Sequence, residues 1–138
     1  MGTWYERARV NGIRFESGDC VQAQYSLNAD NTVKVVNSQN IDGQQKIIEG
    51  QAYCEAQNSG QCYVRFSDNQ PWGDYEVVRT DYETFTIIYS CTSFFVANYK
   101  IAWVLARDPT FDPTNAVAAL SGLGFDASDF YYTQQGNC

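Results

Sequence analysis

From Gly2 to Arg107 the chain repeats one pattern: short runs of alternating apolar and polar residues, each ended by turn-forming residues. The first run, residues 2–10, puts Trp4, Glu6 and Ala8 at alternate positions. Residues 20–27 form the second, closed by Asn28-Ala29-Asp30-Asn31, and residues 32–37 follow with valines at 33, 35 and 36. Residues 46–54 and 62–67 flank a turn at Ser59-Gly60, Pro71-Trp72-Gly73 breaks the chain again, and residues 74–80, 83–90 and 99–107 complete eight runs. Period-two alternation bounded by Gly, Pro, Asn and Asp reads as half-buried β-strand. The runs are close neighbours in sequence, so they predict an antiparallel meander; parallel crossovers would need helices for which there is no room. Eight such strands can close on themselves, which removes exposed edges and leaves an interior just wide enough for one small ligand.

After residue 107 the period changes. Asp112-Pro113-Thr114-Asn115 is a helix-start signal, and residues 116, 117, 119, 120 and 123 are apolar at helical spacing. The expectation is a short α-helix over 114–122 lying on the barrel wall, then a tail over 123–138. The chain of 138 residues is long enough for one core and too short for two, so 1–138 reads as a single domain.

Composition sharpens the picture by exclusion. Ten tyrosines stand against one methionine, an aromatic enrichment that suits strands. A net charge of −7 without a Lys/Arg cluster makes nucleic acid a poor partner and disfavours adhesion to anionic membrane. No apolar run approaches a membrane span, which argues against stable insertion. Histidine is absent, which removes the usual metal ligand and the commonest general base, and no cofactor is called for. The five cysteines at 20, 54, 62, 91 and 138 form no CxxC pair and are spaced for disulfides in an oxidising, secreted setting. Cys54 and Cys62 flank one turn and are candidates for a bridge. The opening Met1-Gly2-Thr3-Trp4 carries no signal peptide, so the expected start is a processed or truncated one.

Three segments, in order, resemble signatures of the lipocalin family. Gly2-Thr3-Trp4-Tyr5-Glu6 resembles its G-x-W motif, Thr80-Asp81-Tyr82 its T-D-Y motif, and Arg107 the arginine that closes strand eight. Cys20-Val21-Gln22-Ala23-Gln24-Tyr25-Ser26-Leu27 and Tyr89-Ser90-Cys91 are similar to the group of apolipoprotein D, bilin-binding protein, crustacyanin and bacterial members. The resemblance implies an all-β fold, an eight-stranded antiparallel up-and-down barrel. It implies that Arg107 covers Trp4 at the closed end and that Asp81 is a turn residue, all three structural. It implies a Cys20–Cys138 bridge. Cys91 is then left unpaired, its counterpart in relatives being bridged to a cysteine ahead of the first strand.

The implied function is carriage or sequestration of a small lipophile, a bilin, carotenoid, retinoid, steroid or fatty acid, held non-covalently. By resemblance Trp103 falls at a ligand-contacting position, and Tyr25 and Asn37 match inward residues. Val35 shares the parity of Asn37, and Leu105 that of Trp103. Val64 and Phe66 are apolar between Tyr63, Arg65 and Ser67 and are placed inward, and Tyr75 is the candidate on strand six. The face of strand seven is not fixed. Two other functions stay open. One is an enzyme on the same fold, of isomerase or de-epoxidase type, relying on Glu49 or Cys91. The other is a structural subunit of a homo- or hetero-oligomer, docking through an exposed Trp72 with Phe94-Phe95, residues that could equally rim the pocket.

Overall fold

A computed structural model describes residues 1–56, 59–94 and 97–138, with side chains described outside residues 92–99. Eight strands run β1 (Gly2–Val10), β2 (Asp19–Leu27), β3 (Val33–Ile41), β4 (Gln44–Cys54), β5 (Gln61–Arg65), β6 (Gly73–Thr80), β7 (Phe85–Phe94) and β8 (Ala97–Ala106). Each pairs antiparallel with the next, β8 pairs with β1, and β1 pairs with β2, so the sheet closes. The barrel is therefore the all-β up-and-down architecture expected from the alternation.

Strand ends differ from the sequence reading where side chains claim backbone groups. Strand seven starts at Phe85 rather than 83 because Asp81 Oδ1 accepts the N–H groups of Glu83, Thr84 and Phe85 at 3.1, 2.7 and 3.1 Å. These bonds hold the Asp81 carboxyl below its ordinary value, the Thr84 N–H contributing most. β5 stops at Arg65 rather than 67 because the Phe66 N–H turns to Gln70 Oε1 at 3.2 Å.

The barrel closes differently along its length. Next to the sealed end, Gly2–Tyr5 pair directly with Gln22–Tyr25. Farther up, the tail lies between the two strands. A short ninth strand, β9 (Phe130–Tyr132), pairs with Ala8–Val10. The Cys20 N–H donates to the Gln134 carbonyl at 2.9 Å, and Gln135 Nε2 donates to the carbonyls of Glu6 and Val21 at 2.8 and 2.9 Å. Cys20 and Cys138 are disulfide-bonded, 118 residues apart in sequence. A second bridge joins Cys54 to Cys62 across the β4–β5 turn, and Cys91 carries a free thiol.

The helix is α-helical only over α1 (Thr114–Ala119) and tightens into a 3₁₀ turn over Leu120–Leu123, where Ser121 and Gly122 are poor helix formers. Ala116, Val117 and Leu120 bury against Ala8, Ile87, Ala102, Val104 and Phe130 on the outside of the wall. At the sealed end the Arg107 guanidinium lies 3.8 Å over the Trp4 ring, and its Nη1 donates to the Thr3 carbonyl at 2.9 Å. Gly2 has φ +83°, and a Cβ there would come within 3.1 Å of the guanidinium, so this position needs glycine.

Candidate ligand-binding site

Facing pairs in an antiparallel sheet share a side, so one inward residue fixes its partners' faces around the barrel. Trp4 points in and pairs with Ala23; from there Tyr25, Val35, Asn37, Ile48, Gly50, Val64 and Tyr75 follow across β2 to β6. Val77, Ile88, Trp103 and Leu105 continue the inner face through β6, β7 and β8. On β7, Thr86, Ile88 and Ser90 thus look inward, while Ile87 packs outward among the residues under the helix.

The eight residues singled out by sequence share this inner side, Phe66 by its parity with Val64. They divide by exposure. Val35 and Leu105 are 2% and 6% exposed and belong to the packed wall. Tyr25, Asn37, Val64, Phe66, Tyr75 and Trp103 keep partly exposed surface although they point into the barrel. Ile48, also inward, is 51% exposed. β5 pairs with β4 only over Gln51–Cys54, so the mouth-side half of β4 is paired with β3 on one side and has no strand on its β5 side. The Phe66 ring packs instead over Gly50, where a Cβ would come within 2.6 Å of it.

Polar groups organise the space above Trp4 and Leu105. Tyr25 and Tyr75, from opposite walls, meet with hydroxyls 2.6 Å apart and form a floor across the lumen. Burial pushes the Tyr25 hydroxyl up to about 12, partly offset by its bond to Tyr75, and raises Tyr75 as well. Both stay neutral at physiological pH. Above them, the segment between β1 and β2 folds over the mouth. Gln39 Oε1 accepts the N–H groups of Ser17 and Gly18, and Gln39 Nε2 donates to the Phe15 carbonyl. Glu16 on this segment accepts the Trp103 indole N–H on Oε2 at 2.8 Å.

Below Glu16 lies a buried ion pair. Arg9 Nη1 donates to Glu6 Oε1 and to the Gly18 carbonyl, both at 2.8 Å, and Thr133 Oγ1 donates to the same Glu6 oxygen. Glu6 Oε2 is buried without a donor among the described residues. Two adjoining carboxylates cannot both accept, so a proton on Glu16 completes the arrangement. Burial, then the charge and the carboxyl of Glu6, push Glu16 well above the usual carboxylate range; the indole N–H and Arg9 oppose this only partly.

A pH slope follows. A carboxyl with a raised folded-state pKa binds its proton more tightly folded than unfolded. Its stabilising contribution is complete below about pH 4.5, the ordinary value, and is lost as the pH climbs through the raised value. Melting of the wild type should therefore weaken from pH 5 upward, and Glu16→Gln should flatten that slope; parallel profiles for the two proteins would refute the assignment.

Glu6, Arg9 and Glu16 were not among the residues singled out by sequence. Glu6 could have been found by its parity with Trp4. Arg9 could not, because a bulge between Glu6 and Ala8 shifts the register and turns it inward. Glu49, the carboxylate named for an enzyme, faces outward and is salt-bridged to Lys34 at 3.1 Å. Cys91 also faces outward by its place on β7. Trp72, expected to be exposed, is half-buried: its ring is 4.8 Å from Tyr53 and lies under the Arg65 guanidinium at 4.5 Å. The Phe94 side chain and Phe95 lie outside the described residues.

A closed antiparallel barrel sealed at one end by a tryptophan–arginine contact, covered at the other by the segment between β1 and β2, and braced by an outer helix defines a class of cup-shaped β-barrels. Residues 1–135 match the family model described as a lipocalin-like domain. The chain is 32% identical over 144 residues to apolipoprotein D of Mus musculus, covering all of this chain and 76% of that protein. It is 33% identical over 142 residues to the outer membrane lipoprotein Blc of Escherichia coli K12, covering 98% and 76%. Its backbone superposes on lobster apocrustacyanin A1 with a TM-score of 0.80 at 20% identity, covering 99% and 77%. The chain belongs to the lipocalin-like family.

Proposed function

We propose that the protein binds and carries a small lipophilic molecule, non-covalently, in the lumen above the Tyr25–Tyr75 floor. The observation that carries this reading is the partial exposure of inward-facing Tyr25, Asn37, Val64, Phe66, Tyr75 and Trp103 beside the fully packed Val35 and Leu105. Aromatic and aliphatic walls with a few convergent polar groups are what a small-molecule site requires. Burial of apolar ligand surface would supply roughly 25 cal/mol per Å². Two disulfides and the match to an apolipoprotein favour an oxidising, extracellular location.

Titration with biliverdin, retinol or progesterone should quench tryptophan fluorescence saturably. The quench should come from Trp103, since Trp4 is sealed in the closed end and Trp72 lies outside. Trp103→Phe should therefore remove most of the amplitude. Undiminished quenching in that variant would place the ligand elsewhere, and no response to any of the three would end the carrier reading.

One observation favours a second reading, an enzyme on the same fold. A carboxyl whose proton is held more tightly by burial and by a neighbouring carboxylate, as that of Glu16 is, can serve as a general acid toward a bound polyene or epoxide. Chemical change in a recovered ligand, abolished in Glu16→Gln, would favour it over simple carriage.

A further inference from the structure

We propose that the lumen selects a lipophile whose polar end is a hydrogen-bond donor, an ammonium in preference to a carboxylate, docked among Glu6, Glu16 and Trp103. This rests on the lumen being the binding site, and it narrows the ligand classes by excluding simple fatty acids as preferred guests.

Two buried acceptors on the inner face lack a protein donor atom among the described residues. Arg9 Nη1 is committed to Glu6 and the Gly18 carbonyl, and Arg9 Cζ lies 4.7 Å from the Tyr131 ring centroid. The Trp103 indole N–H is committed to Glu16, and the Thr133 hydroxyl to Glu6. The tyrosine pair keeps one spare hydroxyl proton. Glu6 Oε2 and Asn37 Oδ1 are both buried and without a donor heavy atom among the described residues, so the proton on Glu16 is what Glu6 has for a donor there. The Glu6–Arg9 pair and the neutral carboxyl of Glu16 leave the inner surface balanced in charge, with buried acceptors that lack a fixed protein donor.

An incoming carboxylate would place a second negative charge beside Glu6 and bring only lone pairs to those buried acceptors. An ammonium brings three donors and no acceptor. It can serve Glu6 Oε2 and Glu16 together, with the rings of Trp103, Tyr25 and Tyr75 offering their negative faces. An alcohol, one donor and one acceptor group, falls between.

The proton on Glu16 occupies the place such a donor would take. Docking is then an exchange: the neutral carboxyl of Glu16 and an alkylammonium give a carboxylate–ammonium pair and one proton released to buffer. The charged and titratable groups facing Glu16 are Glu6 and Arg9 from β1, Tyr25 from β2 and Tyr75 from β6. Both tyrosines stay neutral, so Glu16 alone changes charge on docking. Amine affinity rises with pH over the range in which free Glu16 still holds its proton, and alcohol affinity does not.

Dodecylamine, dodecanol and dodecanoate, below their micelle concentrations, isolate the headgroup. At pH 7 the amine is expected to bind at least tenfold tighter than the carboxylate, with the alcohol between. Calorimetry in buffers of different ionisation enthalpy should show about one proton released per amine bound, and none per alcohol. In Glu16→Gln the amine-to-carboxylate ratio should fall severalfold. Dodecanoate binding as tightly as dodecylamine, or amine binding without proton release, overturns the proposal. If retinol quenches Trp103 while the amine does not bind, the headgroup proposal falls and the carrier reading stands. If none of these probes binds, both fall together.

Discussion

Cys138→Ser should cost about 5 kcal/mol of stability, roughly twice the loss from opening the Cys54–Cys62 bridge. In the chain-entropy model a cross-link stabilises by restricting the unfolded chain, and the effect grows with the logarithm of the loop closed. The Cys20–Cys138 bridge spans 118 residues and the Cys54–Cys62 bridge spans 8. The model gives about 5 and about 2.5 kcal/mol respectively. The folded state adds to the asymmetry. The longer bridge anchors the tail that fills the space between β1 and β2, bringing the Gln135 bonds to Glu6 and Val21 and the Thr133 hydroxyl to the buried Glu6 carboxylate. The shorter one joins Cα positions that the β4–β5 ladder already pairs. Urea unfolding of Cys138→Ser and Cys62→Ser, each paired with replacement of its partner cysteine, measures both. Equal midpoints, or the reverse order, would show that the tail contributes little to closing the barrel.

That tail marks the limit of what alternation could reveal. Strands β2 to β6 were legible because one face of each turns inward and the other meets solvent or loops; on β1 the bulge sends Ala8 under the helix, yet elsewhere the polar–apolar period survives. On β7 it does not. Ile87 packs beneath the helix and Ile88 into the lumen, each 2% exposed, so apolar residues occupy both faces and the period disappears. The tail read as extended, but nothing in its own residues names β1 as the strand it pairs with. That pairing depends on β1 and β2 diverging above Tyr5, a property of the closed barrel.

The site was half legible for a related reason. Parity along the strands, together with the family resemblance that supplied Tyr25 and Asn37, names its apolar and aromatic wall, and the eight residues all face inward. Its charged part depends on two departures from parity. A bulge in β1 brings Arg9 to the same side as Glu6, and the segment after β1 returns over the mouth to insert Glu16. A buried arginine, 5% exposed, is retained because it neutralises Glu6, and the Gly18 carbonyl it also binds fixes the covering segment. The same guanidinium thus sets the charge inside the barrel and the position of the segment above it.

The wall and the sealed end are separable, and Trp4→Ala tests the separation. Trp4 is 6% exposed and packs with Ile88 and Leu105 beneath the tyrosine floor. Truncating a buried tryptophan removes its transfer energy and leaves a cavity, together about 3–5 kcal/mol. The Arg107 contact adds on the order of 1 kcal/mol where it is sheltered. Without the indole, Arg107 keeps its bond to the Thr3 carbonyl but covers an empty volume. The expected result is an unfolding midpoint lowered by on the order of 10 °C. Ligand affinity per folded molecule should be little changed, because Tyr25, Tyr75 and Trp103 pack over the vacated space and are themselves left in place. A normal midpoint would remove the structural role of the Trp4–Arg107 pair. A stable variant that lost binding would move the ligand below the floor, into contact with the indole itself.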